Sequence, residues 1–173
     1  MFALMMMVAL LAGGLDVGPA KAADTVAVFP FELLDSSQEG ELILKVKPEE
    51  TKRLVLLAED LAKRLAETNK FEVVPTTGMA TALKEAAPLH KCNGCEVDLA
   101  KKSGARYAML GLVQKFSDTL LSVSIQVVDA QSGAIRSYSA GVQGNTDEAW
   151  LRGVSYLVRN RLMDGMLMEG LAQ

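Results

Sequence analysis

The stretch RYAMLGLVQKFSDTLLSVSIQVVDAQSGAIRSYSAGVQ, from Arg106 to Gln143, decides the fold of this 173-residue chain. It holds three runs rich in β-branched and aromatic residues, separated by the turn-length links SDT and QSG. Links this short join antiparallel neighbours. In the middle run Val123, Ile125 and Val127 alternate with Ser and Gln, which indicates one buried face and one solvent-exposed face. The stretch therefore predicts an antiparallel meander of three strands.

Two further strands are predicted upstream of the meander, with a helix between them. The segment TVAVFPFEL, residues 25–33, indicates a buried first strand that stops near Pro30. The segment NKFEVVP, residues 69–75, indicates a turn and a second strand that stops at Pro75. Between them, from Glu49 onward, leucine and alanine recur at the spacing of one helical face, at Leu54, Leu57, Ala58, Leu61 and Leu65. This β-α-β order predicts two parallel strands.

The segment LDSSQEGELILKVKP, residues 34–48, is polar and has no sustained period. We predict a long loop here, with a short extra strand at Leu42 to Val46. Loops of this length are either functional or mobile.

Three more helices complete the prediction. The segment TTGMATALKEAA, residues 76–87, forms a short helix that Thr76 or Thr77 caps and that ends before Pro88. The segment EVDLAKKSGA, residues 96–105, forms a helix closed by Gly104. In the last helix, residues 145–163, Asn145 is the predicted N-cap, and the apolar stripe contains Leu151, Val154, Val158 and Leu162, with Trp150 and Leu157.

The element order is therefore β-α-β-α-α-β-β-β-α. It predicts the α/β class, of mixed α+β type, with a five-stranded mixed sheet in two or three layers. The length fits one domain, which we place at residues 23–165, followed by a C-terminal tail at 166–173. A net charge of −3 gives no electrostatic support for nucleic-acid binding.

The amino terminus, MFALMMMVALLAGGLDVGPAKA, is predicted to be a signal peptide over residues 1–22. An apolar run from Phe2 to Leu11 precedes an A-x-A site at Ala20 to Ala22, although no Lys or Arg comes before the run. The run is shorter than the ~20 residues of a membrane-spanning helix. No cysteine lies at the cut, so lipid anchoring is not indicated. We therefore expect a periplasmic protein without a membrane span after cleavage.

Several short motifs carry a resemblance to known families. VAVFPFEL, SGARYAMLGLVQKF and VVDAQSGAI resemble the amino-terminal domain of TolB and its relatives of the CsgG and LpoB type, over about Thr25 to Leu162. CNGCEVDLAKKSGARYAMLG together with GNTDEAWLRGVSYLVRNRL is similar to an uncharacterised family of secreted bacterial proteins with this fold. The resemblance implies a periplasmic accessory or interaction domain, and it implies no catalytic residue.

The segment HKCNGCE, residues 90–96, holds both cysteines and the only histidine. An oxidising compartment favours a structural disulfide between Cys92 and Cys95. A redox-active dithiol is the alternative, since Cys95 lies near a predicted helix N-terminus. A metal site formed by His90, Cys92 and Cys95 is a third hypothesis, although a tetrahedral site usually has four ligands and these residues provide three. Glu96 stands where haem attachment needs histidine, which excludes that chemistry.

Two surfaces are candidates for partner contact. The first is the edge where the parallel strands end, together with the loop from Asp35 to Pro48, because ligands bind beyond the C-terminal ends of such strands. The alternative for that loop is a mobile segment without a ligand. The second surface is the arginine-bearing face of the last helix, which suits an acidic partner. The alternative is that these arginines only form the solvated face of that helix. The residues are Glu32, Asp35, Ser36, Thr76 and Thr77 for the first surface, and Arg152, Arg159 and Arg161 for the second.

The inventory of reactive residues argues against an enzyme. A serine triad needs a histidine away from the cysteines, and no phosphate-binding glycine loop of the P-loop type occurs. We interpret the methionines near the end of the chain as packing or tail residues and not as a site for a soft metal; they are Met163, Met166 and Met168. We expect a non-enzymatic domain without a cofactor that binds a periplasmic or envelope protein. The alternative is a thiol-disulfide or metal-handling accessory to a periplasmic redox enzyme.

Overall fold

A computed structural model describes residues 23–43 and 45–165. The predicted signal peptide, the predicted tail, and Met166 and Met168 lie outside the described residues. Met163 is described, and it packs against the main core.

The protein has a mixed sheet whose main path runs in the order β3-β1-β4-β5-β6. Strand β1 is parallel to both β3 and β4, and β4, β5 and β6 form an antiparallel meander. Both the β-α-β unit and the meander are therefore as predicted. The strands are β1 at Asp24–Val28, β2 at Glu32–Asp35, β3 at Phe71–Val74, β4 at Tyr107–Lys115, β5 at Leu120–Asp129 and β6 at Ile135–Gln143.

The sixth strand, β2, arises because the predicted first strand is interrupted. Strand β1 pairs with the beginning of β4, and β2 pairs with the end of the same strand in the same direction. Pro30 lies between the two pieces and has no N–H to continue the ladder. The ring of Phe31 then fills the space over Gly111, where a Cβ would lie 2.2 Å from the ring. The described residues therefore form six strands instead of the five predicted, while the mixed α/β class is confirmed.

Helices cover both faces of the sheet, which makes three layers. The helices are α1 at Gln38–Ile43, α2 at Pro48–Glu67, α3 at Ala80–Ala86, α4 at Cys95–Ser103 and α5 at Asp147–Leu157, which a π-helical segment extends over Val158–Leu162. Successive residues of one strand enter different cores: Val127 packs with α2 and α5, and Val128 packs with α3 and α4. The main core also takes Trp150, Val154, Leu157, Val158 and Leu162, while Leu151 is only half-buried.

The prediction for residues 34–48 was wrong. The segment contains helix α1 where a short strand at Leu42 to Val46 was expected. Ser37 caps this helix, because its Oγ accepts the N–H of Gly40 at 3.1 Å. Glu39 and Glu41 in the first turn complement the helix dipole.

Two predicted caps were also wrong. Neither Thr76 nor Thr77 caps α3 with its side chain, because a 3-10 turn at Thr77–Met79 precedes that helix. Helix α5 begins one residue later than expected, and Thr146 Oγ accepts the N–H of Ala149 at 3.2 Å. The side chain of Asn145 is therefore free to bind elsewhere. Gly104 does close α4, at a φ of 74°.

Candidate functional site

The most unusual feature inside the molecule is a lysine with only 1% of its side chain exposed, Lys115 at the end of β4. Its Nζ lies 2.9 Å from Glu50 Oε1, 3.0 Å from Asp118 Oδ1 and 3.3 Å from Asp35 Oδ2. Three carboxylates therefore surround one ammonium group. We call Lys115, its three carboxylate partners and Asn145 the clasp.

The clasp joins elements that are far apart in sequence. Glu50, in the first turn of α2, is as buried as Lys115 and also accepts a hydrogen bond from Asn145 Nδ2 at 2.8 Å. Asn145 Oδ1 accepts from Arg53 Nη1 at 2.9 Å, and Arg53 Nε donates to Asp147 at 2.6 Å. The cluster thereby ties β2, α2, β4 and the start of α5 together at one end of the sheet.

The charges of the clasp stabilise one another. Burial alone would raise the pKa of Glu50, but hydrogen bonds from Lys115 and then Asn145 outweigh burial and hold this pKa below its usual value. A hydrogen bond from Lys115 likewise lowers the pKa of Asp118. Burial raises the pKa of Asp35, yet hydrogen bonds from Ser37 and then Lys115 leave it below the usual value. These groups are all ionised at neutral pH.

Lys115 is consequently a structural cation. Burial alone would lower its pKa, but hydrogen bonds to Glu50 and Asp118 outweigh burial and raise the pKa above the usual value. A nucleophilic or basic lysine needs a lowered pKa. The sequence analysis did not single out Lys115. Its position could have indicated burial, because every second residue of β4 faces the core: Met109, Gly111, Val113 and then Lys115.

Exposed apolar side chains lie on the two segments that the clasp joins. Leu42 is 83% exposed and Val46 45%, both on the segment between β2 and α2; Phe116 is 45% exposed and Leu120 53%, both at the turn between β4 and β5. The two segments meet beside Lys115, whose carbonyl accepts the N–H of Ser36 at 2.9 Å. We call the end of the sheet where these two segments meet, which carries Leu42, Val46, Phe116 and Leu120, the apical surface.

The structure divides the predicted strand-end surface into two places. Glu32, Thr76 and Thr77 line one groove of about 430 Å³, whose other walls are mainly apolar, at Pro30, Ala80, Leu83, Ala87 and Leu89, with Lys84. Asp35 belongs to the clasp, and Ser36 Oγ donates to the carbonyl of Lys115 at 3.1 Å. The Asp35 to Pro48 segment therefore lies with the clasp, apart from the residues that line the groove.

Glu32 also organises the segment that leads to the cysteines. Its carboxylate accepts the N–H groups of Leu89 at 2.6 Å and His90 at 2.9 Å, and it lies 2.6 Å from His90 Nδ1. One side chain of β2 thus holds the 3-10 turn Leu89–Lys91 against the sheet.

Cys92 and Cys95 are joined by a disulfide. The side chain that accompanies them is Glu96, one of whose carboxylate oxygens lies 3.0 Å from Cys92 Sγ. His90 is not part of this group of potential metal ligands, which contains Cys92, Cys95 and Glu96. The predicted ligand set of His90, Cys92 and Cys95 is therefore not assembled, because Glu32 holds the histidine ring.

The second predicted surface is exposed. Arg152 lies on the outer face of α5, and Arg159 and Arg161 lie in its π-helical extension. All three are exposed. Within residues 23–43 and 45–165, every helix is too short or too polar to span a bilayer.

No curated protein matches the sequence. The C-terminal domain of LpoB from Salmonella enterica is 18% identical over 72% of this chain and 86% of that chain, with a TM-score of 0.49. The same domain from Escherichia coli is 16% identical over 75% and 89%, with a TM-score of 0.46. A PelC dodecamer subunit from Paraburkholderia phytofirmans is 17% identical over 82% and 90%, with a TM-score of 0.45.

A family model matches residues 24–162, which include every described strand and helix. The match confirms the resemblance to an uncharacterised family. The protein belongs to the DUF3280 family, described as a protein of unknown function (DUF2380).

Proposed function

We propose that the protein is a non-enzymatic interaction domain of the bacterial periplasm, and that it binds an envelope protein through the apical surface. The observation that carries this proposal is the exposure of Leu42, Val46, Phe116 and Leu120 on the two segments that the clasp joins. Clusters of exposed apolar side chains on a soluble protein mark contact sites. The partner that fits is a protein with an apolar patch of its own.

The clasp supports this assignment because it holds both segments of the surface in place. Asp35 anchors the start of the α1 segment, Glu50 anchors its end, and Asp118 lies in the β4–β5 turn between Phe116 and Leu120. Lys47 and Glu39 pair at 2.7 Å across the same segment. A surface that is ordered before binding loses less conformational entropy when it binds.

The periplasmic location rests on two features of the chain. The predicted signal peptide directs export, and a disulfide between Cys92 and Cys95 persists in an oxidising compartment. Removal of residues 1–22 leaves the net charge at −3, because Asp16 and Lys21 cancel.

Site-specific photo-crosslinking in cells tests the contact. We expect a photoreactive residue at position 116 to give a discrete crosslinked partner, since Phe116 lies on the apical surface. The matched control is position 135, because Ile135 is 44% exposed and lies at the opposite end of the sheet. Mass spectrometry identifies the partner, and the partner must crosslink again when both proteins are purified.

Three outcomes would overturn the proposal. These are equal crosslinking at positions 116 and 135, loss of the crosslink on mixing pure proteins, and a crosslink to a second copy of this chain alone. The groove lined by Glu32, Thr76 and Thr77 and the exposed Arg152, Arg159 and Arg161 are the further positions to compare. A partner captured from those positions and not from 116 would move the contact there.

The second candidate function is thiol-disulfide exchange, which one observation favours. Cys95 is the first residue of α4, where the helix dipole stabilises a thiolate. For an interaction domain with a structural bond, we expect a reduction potential below about −300 mV. Equilibration with glutathione buffers measures the potential. A value near −270 to −120 mV, the range of thioredoxin and DsbA, would support exchange and contradict a purely structural bond.

A further inference from the structure

Cys92, Cys95 and Glu96 form a compact group of potential ligands that the proposed function does not use. The two Sγ atoms and one carboxylate oxygen of Glu96 lie within 4.8 Å of one another. Both cysteines are half-buried, and Glu96 is 6% exposed. The group is therefore compact enough for one ion and still accessible from solvent.

Within the described residues, Glu96 is a buried carboxyl group without an ion-pair partner. Its Oε2 accepts the N–H of Gly94 at 3.1 Å and lies 3.0 Å from Cys92 Sγ. None of the ion pairs in the described part of the chain includes Glu96. Buried carboxylates are normally paired or bound to a metal. In the clasp, for example, the buried carboxylate of Glu50 is paired with Lys115.

We propose that the reduced protein binds one soft divalent cation, of the Zn²⁺ type, through the thiolates of Cys92 and Cys95 and the carboxylate of Glu96. Thiolate sulfur is the preferred ligand of such ions, and a carboxylate commonly joins it. Three protein ligands leave one of the four tetrahedral positions open to water. The disulfide closes the site, because each sulfur then lacks the charge that binds the metal.

The disulfide must be reduced before the metal binds. A dithiol reductant supplies two electrons and two protons to the Cys92–Cys95 bond, and the reductant becomes a disulfide. The divalent cation then displaces the two thiol protons, which are released to solvent. Without a metal, two thiolates next to the Glu96 carboxylate would repel one another. The cation removes most of that repulsion, so metal binding stabilises the reduced protein relative to the disulfide.

Metal titration of the purified protein tests the site. A phosphine reduces the disulfide, taking its oxygen from water, and leaves no competing thiol in solution. We expect the reduced protein to bind one equivalent of Zn²⁺, or of Cd²⁺ with a thiolate charge-transfer band. The oxidised protein should bind at least about a hundredfold more weakly, as should the Cys92→Ser/Cys95→Ser variant, because each lacks both thiolates.

The role of Glu96 is separated by a matched pair of variants. Glu96→Gln should weaken Zn²⁺ binding about tenfold or more, whereas Asp98→Asn, an exposed acid two residues along the same helix, should leave the affinity unchanged. X-ray absorption of the wild-type Zn²⁺ complex should show two sulfur ligands near 2.3 Å and oxygen near 2.1 Å. This measurement needs no variant to fold.

Two results would overturn the inference. In the first, the reduced wild-type protein binds Zn²⁺ no more tightly than the double serine variant does. In the second, Glu96→Gln binds Zn²⁺ as tightly as the wild type does, which would exclude the carboxylate as a ligand.

Discussion

Replacing Lys115 with methionine is expected to lower the free energy of unfolding by about 3–5 kcal/mol, the usual effect of removing one partner from a buried ion pair. Glu50 has 1% of its side chain exposed and would lose its main counter-ion. Asn145 would remain as a donor, but a neutral amide does not compensate a buried charge. Urea denaturation measures the change.

Two comparisons make the result specific. Lys63→Met removes a solvent-exposed partner of Glu67, 3.9 Å away, and is expected to change stability by less than about 1 kcal/mol. Lys115→Met combined with Glu50→Leu should recover much of the loss, because the stranded carboxylate is gone. If Lys115→Met changes stability no more than Lys63→Met does, the clasp does not support the fold.

The same loss should depend on pH with a definite sign. Because the pKa values of Glu50, Asp35 and Asp118 are lowered by folding, their contribution is present above the unfolded pKa values, near 4, and is lost as pH falls through the folded ones. The pKa of Lys115 is raised, so its contribution is lost only as pH rises above its ordinary value of 10.5. The contribution of these groups to the wild type should therefore be flat from about pH 5 to 10. The difference from Lys115→Met should shrink as pH falls, because burial without Lys115 raises the pKa of Glu50 in the variant and protonation then relieves its unpaired charge.

Glu32→Ala is expected to lower the free energy of unfolding by about 2–4 kcal/mol, because it removes the acceptor for two backbone N–H groups and for the His90 ring. The 3-10 turn Leu89–Lys91 would lose its attachment to β2. Urea denaturation measures stability, and amide hydrogen exchange at Leu89 and His90 reports the local loss directly.

The control for this substitution is Glu72→Ala, an exposed glutamate on β3. We expect it to change stability by less than about 0.5 kcal/mol. Unchanged exchange protection at Leu89 and His90 in Glu32→Ala would show that Glu32 does not anchor the turn.

The fold was predictable where its cause is local. The alternation of Val123, Ile125 and Val127 with polar residues and the two short turns specify the meander without reference to the rest of the chain. The prediction missed strand β2 because a proline such as Pro30 usually ends a strand. The chain continues as β2 where the ring of Phe31 packs over Gly111, a contact between residues 80 positions apart in sequence. Helix α1 was missed because its cap, Ser37, lies in a run of polar residues that resembles a loop.

The clasp was harder to predict than the fold. Lys115 lies at an inward position of β4, which the alternation of that strand indicates. Its partners, however, come from β2, α2 and the β4–β5 turn, and they meet only when β2 pairs with the end of β4. Asn145 was predicted to cap a helix. Its side chain instead donates a hydrogen bond to Glu50, which requires the same long-range contacts.

The central claim is that the apical surface binds a partner protein, and one affinity measurement tests it most directly. The crosslinked partner is purified, and its dissociation constant is measured with the wild type, with Phe116→Ser and with Ile135→Ser. Phe116→Ser is predicted to weaken binding at least about tenfold, because it removes an exposed aromatic anchor, while Ile135→Ser should stay within about twofold. Equal affinity for Phe116→Ser and wild type, or an equal loss in both variants, would contradict the account.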